Sequence, residues 1–347
     1  MKKLLRFSAL LTIFALLTPA LVAALPLKSV EPSVSPDFVS RSYPMAAESS
    51  PAFPAGTTRF DEKETVTVWD GQRLETMTLR DYLEGVLAAE MPADFPEEAL
   101  KAQAVAARTY TLYKMAMATE TEDVHHGAQL CTDPAHCEAF LDLAAQAAAV
   151  WGDSAEVYSQ RISRAVEETD GLILTYQNEP IAAVFCAASA GQTESAYDVW
   201  GTELPYLVNV DSPGGQACGK YLGEVRVAQS VFRDAVAARH PEASFSDRPE
   251  EWITDAERSP AGGVKYLTVG GVRVSGREIR QCFDLNSTNF TIRAADGDLI
   301  FSTVGYGHGV GLSQFGARHM ALSGEGFETI LSHYYPGTQL NRRSSEV

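Results

Sequence analysis

Residues 78–110 read TLRDYLEGVLAAEMPADFPEEALKAQAVAARTY, and two helices are written into them. Thr78 with Asp81 three residues on is a helix-start signature, because the threonine oxygen can accept an otherwise orphaned N–H of the first turn. Leu79, Tyr82, Leu83, Val86 and Leu87 then recur at helical spacing until Pro92, which cannot continue a helix. Asp94 and Glu97 open a second helix, expected to reach about Ala118. On a wheel of about 100° per residue, Glu90 falls only about 20° from Leu79, on the stripe that faces the core. It also sits at its helix C-terminus, the negative end of the macrodipole. Burial and that dipole both raise a carboxyl pKa, which prepares a general acid usable near neutral pH. The alternative is a fraying helix end whose Glu90 points into water.

In the second helix Leu100, Ala104, Ala107 and Thr111 form a narrow stripe of small residues that lets another helix pack closely. Gln103 and Arg108 flank that stripe at about −60° and +80°. An Arg108 fixed near Glu90 would hold the ionised carboxylate after proton donation, or grip an acidic group on a substrate. The competing reading is an Ala-rich core helix with polar flanks.

Outward from this pair, residues 64–69 alternate as a strand, and Asp70-Gly71 turns the chain toward a second short one. Residues 154–169 read as a helix, and residues 173–176 and 181–185 as strands joined by the turn Gln177-Asn178-Glu179-Pro180. Residues 225–293 mix a helix at 228–239 with Gly-rich turns and strands, and are the candidate for an inserted lobe. Helices return at 313–323 and 327–334. Segregated helices and strands without βαβ rhythm indicate an α+β fold arranged around a substrate groove.

The whole chain of 347 residues is 45% hydrophobic, enough to bury a core and too apolar for a disordered or disulfide-scaffold class. Its net charge of −17 makes a broad nucleic-acid-gripping surface implausible. That charge becomes −20 once the three cations of the first six residues, Lys2, Lys3 and Arg6, are set aside. Behind them residues 7–27 are uncharged, a run about long enough to cross a bilayer, so 1–27 is expected to be a membrane anchor or a cleaved signal peptide. The positive-inside rule then leaves the rest outside the cytoplasm. Residues 28–57 are rich in Ser and Pro and read as an extended linker, so the folded part is expected over 58–343.

Three blocks together resemble one family. They are Glu90-Met91-Pro92 with the run from Glu98 to Tyr110, the block from Ser189 through Gly191, Thr193 and Val199-Trp200-Gly201 to Pro205-Tyr206-Leu207, and the segment Gly305-Tyr306-Gly307-His308-Gly309-Val310-Gly311-Leu312-Ser313-Gln314-Phe315-Gly316-Ala317. In this order they are similar to the stage II sporulation protein D (SpoIID) family, over most of residues 60–340. The resemblance implies a lytic transglycosylase that cleaves peptidoglycan glycan strands stripped of their stem peptides, at the engulfing septum of a sporulating cell. It implies Glu90 as catalytic residue and a cell-wall amidase and septal membrane proteins as partners. The rival class is a non-enzymatic glycan-binding modifier of an amidase. One carboxylate suffices for transglycosylation, since it can protonate the glycosidic oxygen and then deprotonate the muramic C6 hydroxyl that attacks C1. A hydrolase needs a second carboxylate, and Asp94 and Asp198 are weak nominations.

In the late segment Gly305, Gly307, Gly309 and Gly311 alternate with larger residues, so an extended chain would put all four on one bare face against which a sugar could lie. A glycine-rich turn needing positive φ is the alternative. Ser313 and Gln314 offer hydrogen bonds to a sugar, and His308 either orients Glu90 or caps a backbone group. Substrate contacts are expected from Lys101, Gln103, Arg108, Ser189, Thr193, Tyr206, His308, Ser313 and Gln314; Tyr206 and Trp200 either stack on sugars or belong to the core.

His125, His126, Cys131, His136 and Cys137 cluster within thirteen residues. Two thiolates and two imidazoles suit a closed, tetrahedral structural zinc. The family resemblance implies His125, Cys131, His136 and Cys137 as the ligands, with His126 a rival for the first position and a Cys131–Cys137 disulfide the alternative. No organic cofactor is expected. A denuded strand carries lactyl carboxylates, so a domain of −20 needs local cations in its groove, and Lys101 and Arg108 are the nearest candidates.

Overall fold

The computed structural model describes residues 59–117, 125–134 and 136–343. The expected leader and linker lie outside these residues, and among the described residues no helix is long and apolar enough to cross a membrane.

A single helical turn, α1 (Phe60–Lys63), leads into β1 (Thr65–Trp69), which pairs antiparallel with β2 (Leu74–Thr78). Thr78 caps α2 (Leu79–Glu90), accepting the Asp81 N–H at 3.1 Å and donating to the Asp81 carboxylate at 2.7 Å. Helix α2 buries Leu79, Tyr82, Leu83, Val86 and Leu87, as their spacing requires, and stops before Pro92. After α3 (Glu97–Met117) come β3 (Leu130–Cys131), parallel to β1, and the helices α4 (Leu143–Trp151) and α5 (Ala155–Glu168). Helix α4 escapes sequence reading because its run of alanines carries no periodicity.

Strand β4 (Leu172–Tyr176) turns through Gln177 and Asn178, both at positive φ, into β5 (Glu179–Pro180). The strand expected at 181–185 is reduced to β6 (Phe185–Cys186). Residues 181–184 instead close tight local turns, Ala183 N–H to Ile181 O and Val184 N–H to Ala182 O, each 2.8 Å, and keep only single bonds to the neighbouring strands, Ile181 N–H to Leu174 O and Leu312 N–H to Val184 O, each 3.2 Å. Next are β7 (Gly191–Gln192), α6 (Ala196–Trp200) and β8 (Asp211–Ser212).

Residues 225–301 supply a second hydrophobic core. It is built by β9 (Leu222–Ala228), α7 (Gln229–Arg239), the antiparallel sheet of β10 (Ile253–Arg258), β11 (Val264–Val269) and β12 (Val272–Ser275), the short helix α8 (Gly276–Cys282), and β13 (Phe290–Ala295) with β14 (Asp298–Val304). Phe232 is its centre, with the rings of Phe283 at 5.2 Å and Phe301 at 6.2 Å. From β14 the chain returns to the first core through β15 (Leu312–Ser313), parallel to β6, then α9 (Gln314–Leu322), α10 (Phe327–Tyr334) and β16 (Gln339–Arg342), which pairs with β4.

Helix α3 is the axle of the first core. Every residue from Ala99 to Thr109 is buried, not one stripe alone, because alanine on all sides lets α2, α5, α9, α10 and β4 pack round it. The architecture is α+β, as the segregated elements predict.

Candidate active site

The site forms where α2 ends. Glu90 is half-buried, and its Oε1 accepts the backbone N–H of Ala139 at 3.1 Å. Glycine is what lets that loop come so close: a methyl at Gly85 would overlap the Phe140 ring, which stacks on Tyr82 at 5.8 Å. Leu141 N–H bonds Gly85 O at 3.1 Å, completing the docking of residues 139–141 on α2. Gln314, the first residue of α9, is 3% exposed, and its carboxamide lies near enough to the Glu90 carboxylate to favour the ionised form. Thus two blocks separated by more than two hundred residues meet at one carboxyl. Burial raises the Glu90 pKa above the ordinary carboxylate value, while the Ala139 N–H and Gln314 oppose it and do not cancel it.

A second carboxyl, which sequence reading missed, lies beside the first. Glu138 is 2% exposed and accepts the Thr111 hydroxyl at 2.9 Å. Burial pushes it up to about 8; Thr111 lowers it, and the Glu90 charge adds to the rise. Of the carboxylates nominated from sequence, Asp94 is exposed, while Asp198 is ion-paired with Lys265 at 2.9 Å.

The loop that carries Glu138 and Ala139 also carries His136 and Cys137. The ligand atoms of His125, Cys131, His136 and Cys137 all lie within 4.8 Å of one another. Cys137 Sγ is 3.4 Å from His125 Nε2 and 3.6 Å from His136 Nδ1, and Cys131 Sγ is 3.7 Å from His136 Nδ1. A tetrahedron with ligand bonds of about 2.0–2.3 Å has edges of about 3.3–3.8 Å; these three separations fall in that range and the His125 Nε2–His136 Nδ1 separation, 2.8 Å, is shorter, so the donor types suit zinc with the two imidazoles drawn closer than in a bound site. Neither cysteine is in a disulfide. His126 points elsewhere, with its ring 4.4 Å from Trp69.

The glycine segment departs from the extended reading. Gly305, Gly307, Gly309 and Gly311 have φ of 88°, 114°, 80° and 72°, so the chain winds through a succession of positive-φ residues. Their bare sides are covered too: a methyl at Gly311 would strike the Val184 carbonyl, and one at Gly307 would crowd Cys186. The face expected to receive a sugar therefore packs on residues 184–194. Ala188 bridges to Tyr306 and Glu194 to Val310, which locks the two blocks together. His308 caps backbone, accepting the Val310 N–H at 3.0 Å through Nδ1. Burial, then Arg280, lower its pKa to about 4, and its ring lies 5.3 Å from Trp200.

Several expected substrate contacts are structural instead. Arg108 is fully buried; it forks onto Asp61 at 2.6 and 2.9 Å and also reaches Val166 O at 3.1 Å. Its partner lies in α1, a segment whose role no motif signals. Lys101, 8% exposed, is held by Glu168 at 2.7 Å and Glu98 at 3.0 Å. Thr193 donates to Val208 O at 2.8 Å and accepts the Val210 N–H at 2.9 Å. Tyr206, 7% exposed, accepts the Ala182 N–H and packs on Tyr176 in the core. Ser313 caps α9 and accepts the Ser189 N–H at 3.2 Å. Ser189 and Gln103 are buried, and the Ser189 hydroxyl and both ends of the Gln103 amide have no hydrogen-bond partner among the described residues.

The Stage II sporulation protein (SpoIID) family model matches residues 70–176, the stretch holding Glu90, Glu138 and the His/Cys cluster. The chain is 35% identical over 270 residues to Stage II sporulation protein D of Bacillus subtilis (strain 168), covering 78% of this chain and 76% of the relative. It is 34% identical to the protein of the same name from Bacillus amyloliquefaciens, over the same shares of both chains. It is also 27% identical to the amidase enhancer of B. subtilis, over 74% of this chain but 40% of that relative. At that identity over more than two thirds of both chains, the chain belongs to the stage II sporulation protein D (SpoIID) family.

Proposed function

We propose that this chain is a lytic transglycosylase that cleaves denuded peptidoglycan glycan strands to 1,6-anhydromuramyl products during sporulation engulfment. The observation that carries the reading is Glu90: a carboxyl raised by burial, held in place by the Ala139 N–H and flanked by Gln314. Protonated, it donates to the glycosidic oxygen as the bond to C1 breaks. Ionised, it takes the proton of the muramic C6 hydroxyl as that oxygen bonds C1 and closes the anhydro ring, which returns Glu90 to its starting form. No water enters. The Ala139 N–H favours the carboxylate half of this cycle, and burial favours the acid half.

His125, Cys131, His136 and Cys137 would hold a zinc ion. Four protein ligands close its coordination sphere, so its contribution would be to stiffen the loop on which Ala139 sits. The N-terminal segment would place the domain outside the cytoplasm, tethered or secreted, where glycan strands and a cell-wall amidase are its partners.

The test is turnover of denuded strands. Wild type is expected to release anhydromuramyl ends, and Glu90→Gln to lose turnover with its fold intact. Reducing ends in place of anhydro ends would sink transglycosylation. The likeness to an amidase enhancer favours a second reading, a non-enzymatic modifier of an amidase; turnover unchanged in Glu90→Gln, with glycan binding kept, would select it.

A further inference from the structure

The second core ends in an open sheet edge. Strand β9 closes the antiparallel sheet of β13, β14 and β9 and is paired on one side only, with β14, in an unbroken register from Leu222 opposite Val304 to Ala228 opposite Asp298. Hydrogen-bonded pairs alternate along such a ladder. Because the Gly305 N–H goes to Tyr221 O at 2.7 Å while the Val304 N–H turns the other way, to Asn289 O, it is Gly223, Val225 and Val227 whose backbone groups face β14. The N–H and C=O groups of Leu222, Glu224 and Arg226 therefore point outward, and none of the described residues is hydrogen-bonded to them.

Exposed edges are ordinarily blunted by a proline, a bulge or a very short strand. Strand β10, an edge of the neighbouring sheet, shows such a device, its register shifting twice between Thr254 and Arg258. Strand β9 has neither proline nor shift over seven residues. It also carries the most exposed large apolar side chain among the described residues, Leu222 at 72%.

The charges along this edge are complementary to themselves. An antiparallel second copy of β9 centred on Val225 sets Glu224 against the partner's Arg226 and Arg226 against the partner's Glu224, both in hydrogen-bonded pairs, and Leu222 against the partner's Ala228. A slip of two residues, the smallest that keeps outward-pointing groups together, would set Glu224 on the partner's Glu224 or Arg226 on the partner's Arg226. Like charges directly opposite are destabilising, so one register is selected. Both side chains can change partner, since the ion pair they now form along the strand, 3.1 Å, joins groups that are about half exposed. Net charge points to the same place. Residues 222–304 hold 10 basic and 12 acidic side chains in a chain of net −17, so two copies repel each other least here.

We propose that the edge of β9 is a self-association site, at which two copies of this chain pair antiparallel about Val225 and join their three-stranded sheets into one. The interface is isologous, each copy offering the same strand. A ladder this short makes a weak, reversible pair. None of its residues belongs to the site around Glu90, so each copy keeps its own.

Disulfide trapping on the full chain tests this, because Val225 is the position that meets itself, at a Cα separation of about 4.5 Å that a disulfide tolerates. Oxidising Val225→Cys with copper phenanthroline is expected to give a covalent dimer above the background of the unmutated chain. Val231→Cys, 56% exposed but six residues beyond the axis, should give little. Adding Glu224→Arg to Val225→Cys sets arginine against arginine twice and should slow trapping about tenfold or more. Adding Arg226→Glu as well restores opposite charges and should bring trapping back, which a variant that had merely lost its fold could not do. No trapping at Val225→Cys above background, equal trapping at Val231→Cys, or a double charge exchange no faster than the single one overturns the site.

Discussion

The backbone N–H of Ala139 lies 3.1 Å from Glu90 Oε1, so the carboxyl that ends one helix is oriented by a loop forty-nine residues further along the chain. The donor is a peptide group, so its place depends on how the loop docks and not on any side chain at that position. Docking in turn depends on Gly85, over which the Phe140 ring lies.

Gly85→Ala should therefore act on chemistry at a distance. The added methyl displaces Phe140 and with it Ala139, at a cost of about 1–3 kcal/mol in stability. Steady-state kinetics should show a fall in kcat larger than the change in KM, and Phe140→Leu should restore much of it. Unchanged kcat would mean that the loop docks without help from this glycine.

Gln314 favours the ionised form of Glu90, so removing its amide raises the Glu90 pKa further. A general acid works while protonated, and the alkaline limb of kcat/KM should move to higher pH in Gln314→Met. A limb that stays put or moves to lower pH would place Gln314 outside the acid's environment.

Arg108 and Asp61 form a buried pair, and burial, more than Arg108 opposes it, raises the Asp61 pKa. Asp61→Ala leaves the guanidinium uncompensated in the core and should cost about 3–5 kcal/mol in denaturant unfolding. Glycan affinity of the folded fraction should not change, which separates this pair from the substrate contact that the spacing of Arg108 suggests.

The His/Cys cluster should hold one zinc per chain, measured by elemental analysis. Cys131→Ser and His136→Ala should lose it, and chelation should lower the Tm of wild type. His126→Ala should retain full metal, since its ring packs on Trp69. Retained zinc in Cys131→Ser would contradict the ligand set.

His308 has its pKa lowered from the ordinary 6.5 to about 4, by burial first and Arg280 second. The unfolded chain therefore binds a proton there that the folded chain refuses, and stability is lost as pH falls from about 6.5 to about 4. His308→Asn should flatten that part of the stability profile. An equally steep fall in the variant would assign the loss to other groups.

Local physics explains which features could be read along the chain. Thr78 capping Asp81, the apolar spacing of α2, its stop at Pro92 and the core-facing position of Glu90 are all contacts within a few residues. So is the His/Cys cluster, confined to thirteen consecutive residues. Each is decided by helix geometry or by ligand chemistry, which sequence spacing expresses directly.

Other residues were decided by what came to lie against them. Gln103 and Arg108 flank the small-residue stripe as the wheel says, but α3 became an axle packed on all sides, and Arg108 found Asp61 in a segment without any motif. The glycines of 305–311 alternate as if in a strand, yet each takes positive φ because the block at 184–194 presses on it. Glu138, Ala139 and Gln314 reach Glu90 by tertiary folding alone. The sequence by itself determined which carboxyl faces inward, since one helix's period suffices for that. Only the tertiary structure decided what surrounds it, because desolvation and hydrogen bonding at a carboxyl depend on groups that neighbour it in space and not in the chain.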